Sequence, residues 1–132
     1  EQELMVVRYH QQVTRISDAS GIHDEIGYWI WNKADNSVVL SLSIPRGLTL
    51  LANTEKLDYS DSDLNLRVVS VAGAEHWGIV QSPFMSEKAK TVRFERELSV
   101  NGNSLTYKQL MVLEIYGKTF DHTDENTLQK QK

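Results

Sequence analysis

The chain has 132 residues, of which 40% are hydrophobic and 24% are charged, and these proportions are ordinary for a globular protein of one domain. Its net charge of -4 and its lack of a Lys/Arg cluster argue against nucleic acid, whose phosphates attract basic surfaces. The absence of cysteine excludes disulfides, thiolate nucleophiles and Cys-based zinc sites. No apolar run approaches the roughly 20 residues that span a bilayer, and the first residues do not resemble a signal peptide. We therefore expect a cytoplasmic protein without a membrane partner.

Strand patterns dominate the first third of the chain. Residues 3–16 are rich in β-forming side chains, and both faces of the predicted strand are partly apolar. Residues 22–31 and 38–44 are two further apolar runs, separated by the polar, turn-forming sequence Lys-Ala-Asp-Asn-Ser. These two runs predict a β-hairpin.

A proline and a glycine end this hairpin. Pro45 has no N–H for a sheet ladder and Gly47 tolerates a sharp turn, so we predict a corner followed by a strand over residues 48–53. Residues 54–63 contain four acidic side chains and two serines, which favours a solvated loop. Further strands are predicted over residues 64–72 and 75–81, with a loop or a single helical turn over residues 82–89.

The last third alternates more regularly. Residues 90–100 place apolar and polar side chains on opposite faces, and Asn101-Gly102 is a strong hairpin signal before a strand over residues 105–117. After Gly117 the chain is polar, and we expect it to fray from about residue 124. Consecutive strands with short turns predict an all-β fold, a single antiparallel up-and-down β-barrel over residues 1–132 that can hold one small ligand.

The candidates for metal binding or acid–base chemistry near neutral pH are the four histidines, His10, His23, His76 and His122. Their spacing in the sequence does not form a close metal-binding pair, so a surface or hydrogen-bonded role stands beside a ligand role for each. Asp24 and Glu25 are adjacent, and in a strand they point to opposite faces, which excludes a catalytic dyad.

Several short motifs, in order, resemble those of the nitrobindins, a family of haem-binding β-barrels similar in architecture to fatty-acid-binding proteins. The motifs are Gly-Ile-His-Asp-Glu-Ile-Gly-Tyr at residues 21–28, Ile-Pro-Arg-Gly-Leu at residues 44–48, and Asn-Ser-Leu-Thr-Tyr at residues 103–107 followed by Met111. Residues 93–98, Arg-Phe-Glu-Arg-Glu-Leu, are similar in outline to the family's Arg-x-(Tyr/Phe)-x-Leu strand. His122, fifteen residues after Tyr107, lies close to the position of the family's iron-ligating histidine. Together these motifs cover most of the chain.

The resemblance implies a site and an activity. His122 would ligate the iron of haem b, Met111 would pack on the porphyrin, and Ile22, His23 and Ile44 would line the pocket. Family members hold mostly ferric haem, bind nitric oxide and are described as isomerising peroxynitrite to nitrate, with the iron acting as a Lewis acid. Arg46 and Arg96 are candidates to meet the propionates, although a solvated surface position is the expected role of both.

The resemblance also implies an open barrel, because the family's first strands carry a Gly-x-Trp-x-Gly-x-Gly pattern that does not occur before Glu1. Either the natural start lies upstream or the free edge pairs with another copy, as in a homodimer.

Two other interpretations stand beside haem binding. The same barrel can bind a fatty acid or another apolar molecule in a cavity lined by Val38, Leu40, Leu42, Met111 and Leu113. In the other, the interior is a filled core without a ligand.

Overall fold

The structure, a computed structural model, describes residues 4–131. Their backbone forms nine β-strands and one short helix. In chain order these are β1 (Leu4–Thr14), β2 (Gly21–Asn32), β3 (Ser37–Ile44), β4 (Leu48–Tyr59), β5 (Asp63–Val71), β6 (Ile79–Gln81), α1 (Pro83–Lys88), β7 (Lys90–Asn101), β8 (Ser104–Ile115) and β9 (Lys118–Gln129). The helix begins after Ser82, whose side chain accepts a hydrogen bond from the Met85 N–H. No helix in the described residues has the length and hydropathy that crossing a membrane requires.

The strands form one antiparallel sheet in the order β1-β2-β3-β4-β5-β7-β8-β9, with the short β6 added beside β4. The first and last strands of this order, β1 and β9, have a neighbour on one side only within the described residues. The sheet curves into a half-barrel. The all-β, antiparallel prediction is therefore confirmed, and the expected opening lies between β1 and β9.

The core lies on the concave face of the central strands. Directly opposite residues of antiparallel strands share a face. Leu42 is opposite Leu50, and Leu66 is opposite Leu98, so these pairs identify the inward positions. Nine buried apolar residues form one cluster there, namely Leu40, Leu42, Leu48, Leu50, Ala52, Leu66, Val68, Ile79 and Phe94. The concave residues of β1 and β9 contribute less, since these edge strands are mostly exposed.

Three predicted boundaries differ from the structure. The acidic segment 54–63 is not a loop, because β4 continues through a bulge between Thr54 and Lys56 and pairs with β5 as far as Tyr59. The strand predicted over residues 75–81 contains only Ile79–Gln81. Finally, the polar segment after Gly117 forms β9, which pairs with β8 along its whole length and includes the residues from 124 onward that we expected to fray.

Candidate functional site

A buried ion pair crosses the interior of the half-barrel. Glu25 in β2 and Arg96 in β7 are 1% and 4% exposed, and two parallel hydrogen bonds join them, from Nη1 to Oε2 at 2.8 Å and from Nη2 to Oε1 at 3.1 Å. Such bidentate geometry is the strongest form of this pair. Since β2 and β7 are not neighbours in the sheet, the pair connects opposite walls of the half-barrel.

Further polar side chains complete this cluster. The Tyr9 hydroxyl in β1 donates to Glu25 Oε2 and accepts from Arg96 Nη1 at 3.2 Å. Arg96 Nε donates to Gln109 Oε1 in β8 at 3.1 Å. We call Tyr9, Glu25, Arg96 and Gln109 the interior polar cluster. It joins four strands from the two sides of the opening and satisfies the hydrogen-bonding groups that burial would otherwise leave unpaired.

The cluster keeps its carboxylate ionised. Burial raises the pKa of Glu25, but the hydrogen bonds from His23 and Arg96 and the charge of Arg96 outweigh burial and lower that pKa to about 2. Burial has the opposite outcome at Tyr9, where it raises the pKa of the phenol well above its ordinary value. The interior polar cluster therefore contains a fixed negative and a fixed positive charge together with a neutral phenol.

His23 connects the cluster to a cavity of about 490 Å³ near one end of the half-barrel. Its Nε2 lies 3.0 Å from Glu25 Oε1, and its side chain is 30% exposed. Four residues predicted for the haem pocket share this cavity, namely Ile22, His23, Ile44 and Met111. Ile22 joins them because it is the extra residue of a bulge: Val13 pairs with His23 and Thr14 pairs with Gly21, which leaves Ile22 unpaired between them. The volume is in the range of small-molecule sites.

His122 does not line that cavity, but it lies beside a residue that does. It is directly opposite Met111 in the β8–β9 register, so the two side chains lie on the same concave face. The His122 side chain is exposed, as is all of β9. In many haem proteins the iron has one protein ligand, a histidine. His122, a single imidazole next to an apolar wall on the concave face, is suitable for this role.

The acidic residues near His122 are distributed between the two faces. Asp121 is opposite Val112 and Glu125 is opposite Lys108, and these pairs lie on the convex face, where the carboxylates stay in water. Asp124 shares the concave face, opposite Gln109, and is exposed. Two of the three neighbouring carboxylates therefore need no desolvation when a ligand binds on the concave side.

The other candidates have simpler roles. His10 is an exposed residue paired with Asp24 at 2.8 Å, and His76 is exposed in the segment before β6. Arg46 is exposed at the mouth of the cavity, as expected. The expectation of a solvated position was wrong for Arg96, because Glu25 neutralises it in the interior.

The five residues proposed for an apolar-ligand cavity do not share one cavity. Leu40 and Leu42 are at most 2% exposed and belong to the core. Met111 and Leu113 line the cavity beside His23, whereas Val38 lines a separate apolar cavity of about 340 Å³ with Trp29 and Trp31.

The buried pair was missed in the sequence, although a signal was present. Arg96 interrupts the apolar face of residues 90–100, between Phe94 and Leu98. Glu25 occupies an inward position of β2, two residues after His23. A charged residue at an inward position of a strand needs a partner, but 71 residues separate these two, and local patterns do not reveal such a pairing.

Comparison with known proteins identifies the family. Residues 1–130 match the family model described as THAP4-like, heme-binding beta-barrel domain. The chain belongs to this family. The match confirms the resemblance to nitrobindins and identifies haem as the cofactor of the family.

A solved protein structure has the same fold as this chain. The crystal structure of Rv2717c from M. tuberculosis superposes with a TM-score of 0.76 at 22% identity, covering 96% of this chain and 73% of that one. This likeness supports the fold alone. No curated protein is similar enough to match.

Proposed function

We propose that the protein holds ferric haem b against the cavity beside Met111, with His122 as the iron ligand. The observation that carries this proposal is the register pair of Met111 and His122, which places an imidazole and an apolar cavity wall on one concave face. Ile44 and Leu113 extend the apolar wall, and Arg46 at the mouth offers an exposed guanidinium to the propionates.

The proposed activity is reversible binding of nitric oxide and isomerisation of peroxynitrite to nitrate. When bound, ferric haem would supply a Lewis-acidic iron. The chain contributes an imidazole at His122, an apolar surface from Ile44 and Met111 that limits water, and a polar side chain, His23, in a fixed orientation. Binding of an apolar molecule without haem is the alternative, and the separate apolar cavity beside Trp29 and Trp31 favours it.

Two tryptophan substitutions on β8 test where haem binds. Met111→Trp adds a bulky ring on the concave side, and Val112→Trp adds the same ring on the convex side. In titrations with ferric haem followed by the Soret band, we expect Met111→Trp to weaken binding by about tenfold or more, a difference of about 1.4 kcal/mol, and Val112→Trp to bind like the wild type. Equal affinities of the two variants would contradict the proposed location.

The activity needs its own measurement. In stopped-flow decay of peroxynitrite, the haem-loaded protein should accelerate the decay and raise the yield of nitrate relative to nitrite, and the haem-free protein should do neither. Unchanged decay by the loaded protein would leave haem binding standing and reject the isomerase activity.

The location and the assembly state are also proposals. A cytoplasmic location rests on the sequence alone. Within residues 4–131, β1 and β9 each pair with one strand only, and this supports a homodimer because unpaired strand edges tend to pair with another chain. Light scattering after size exclusion distinguishes the dimer from a 15.1 kDa monomer.

A further inference from the structure

We infer that His23 is a proton acceptor of the cavity, held by Glu25 in the tautomer that carries its proton on Nε2. The inference deepens the proposed function and rests on it for the identity of the ligand, but the tautomer itself follows from the protein alone. In this role His23 takes up a proton from a ligand, whereas a residue that only lines the pocket would not.

The first step is the hydrogen bonding of Glu25. Its Oε2 accepts from the Tyr9 hydroxyl and from Arg96 Nη1, and its Oε1 accepts from Arg96 Nη2 at 3.1 Å. The carboxylate is paired with a guanidinium and is therefore ionised, and an ionised carboxylate can only accept hydrogen bonds. The contact of 3.0 Å to His23 Nε2 consequently requires a proton on Nε2.

The second step concerns the other ring nitrogen. In a neutral imidazole with its proton on Nε2, Nδ1 has a lone pair and can only accept. The His23 side chain is 30% exposed and lines the 490 Å³ cavity, so Nδ1 is the nitrogen left for a ligand. When Nδ1 takes a proton, the ring becomes a cation in contact with Glu25, and a buried carboxylate orients and stabilises such a cation.

The charged groups around His23 do not offer a competing partner among the described contacts. Asp24, the next residue, also lines the cavity, but its carboxylate is paired with His10 at 2.8 Å. Arg96 is bonded to Glu25 and Gln109, and Arg46 is exposed at the mouth of the cavity. Glu25 is thus the residue that sets the tautomer of His23.

The consequence is a preference among ligands. A neutral His23 assists a small weak acid that gives up a proton as it binds, and it gives no such assistance to a ligand without a proton. Hydrogen cyanide is a suitable probe. Its proton would pass to His23 Nδ1, and the electron pair of its C–H bond would stay on the carbon, giving the cyanide anion that ferric haem would bind. Nitric oxide has no proton to transfer and is the control ligand.

The tautomer is tested on the haem-free protein by long-range ¹H–¹⁵N correlation NMR near neutral pH, with His23→Gln to assign the signals. We expect His23 to show a protonated Nε2 and an unprotonated Nδ1. A proton on Nδ1, or a rapidly exchanging mixture of both tautomers, would overturn the inference. This result does not depend on haem, so it is separate from any failure of the proposed function.

The role is tested on the haem-loaded protein by comparing wild type with His23→Leu. General base catalysis contributes about 10²- to 10⁴-fold, so we expect hydrogen cyanide to associate with the variant at least about 10²-fold more slowly. Association of nitric oxide should change by less than about threefold, and His10→Leu should leave both rates unchanged. Equal slowing of both ligands, or of neither, would overturn the proton-acceptor role.

Discussion

At the scale of single residues, the decisive interaction is the ion pair of Glu25 with Arg96. Removing one partner of a buried ion pair leaves an uncompensated charge in the interior, which costs about 3–5 kcal/mol. We therefore predict that Arg96→Met lowers the free energy of unfolding by about that amount, as measured in urea. The pair is nearly inaccessible to solvent, so screening by water reduces this loss little.

Arg93→Met is the matched control in the same strand. Arg93 is 40% exposed and bonds to Glu95, which is 16% exposed and also accepts a hydrogen bond from Arg67. Glu95 therefore keeps a cationic partner when Arg93 is removed, and we expect a loss of about 0–1 kcal/mol. A similar loss of stability in both variants would show that the buried pair has no special structural role.

At the scale of elements, a glycine permits the close approach of β1 to β2. A Cβ built on Gly27 would lie 2.5 Å from Tyr9 Cε1 and 2.6 Å from the Ser41 carbonyl oxygen, and neither atom is the free end of a flexible side chain. We predict that Gly27→Ala displaces the Tyr9 ring and lowers the free energy of unfolding by about 1–3 kcal/mol, the usual cost of overpacking.

Gly21→Ala provides the comparison within the same strand, because a Cβ there has no heavy atom within 4 Å. Thermal unfolding of this variant should stay within about 0.5 kcal/mol of the wild type, as for most surface substitutions. Comparable losses at residues 21 and 27 would mean that the loss of glycine itself, rather than contact with Tyr9, is responsible.

The elements also show how far sequence patterns reach. β2, β3 and β7 were predictable because their apolar side chains alternate or cluster between turn residues. β9 was not, since its side chains are exposed on both faces and its strand conformation depends on pairing with β8. The extension of β4 beyond residue 53 likewise depends on its partner β5 and on a bulge at residue 54–56.

At the scale of the whole molecule, the interior polar cluster makes stability depend on pH. The pKa of Glu25 is about 2 in the folded chain against 4.5 ordinarily, so the unfolded chain binds a proton first as the pH falls. The contribution of Glu25 is therefore complete above about pH 5 and is lost between about pH 4.5 and 2.

We accordingly predict that the urea midpoint of the wild type falls as the pH decreases through this acid range. The Glu25→Gln variant should be less stable than the wild type at neutral pH, but its urea midpoint should fall less on acidification. Equilibrium unfolding at several pH values measures both. Parallel acid profiles of the two proteins would contradict the assignment of this effect to Glu25.

The candidate site was accessible to prediction only in part. Ile22, His23, Ile44 and Met111 were expected together from the resemblance, and the structure gathers them around one cavity. The polar cluster behind His23 was not expected, because its members come from four strands and meet only after the sheet has curved. Contacts between residues so far apart in the chain leave no periodic pattern in the sequence from which they could be predicted.

The proposed role of His122 as the iron ligand is tested most directly by a rescue experiment. His122→Gly should give an altered Soret band with ferric haem, and free imidazole should restore the wild-type band by occupying the vacated position. His10→Gly, which removes an exposed histidine paired with Asp24, should bind haem normally without imidazole. A wild-type Soret band from His122→Gly in the absence of imidazole would contradict the account.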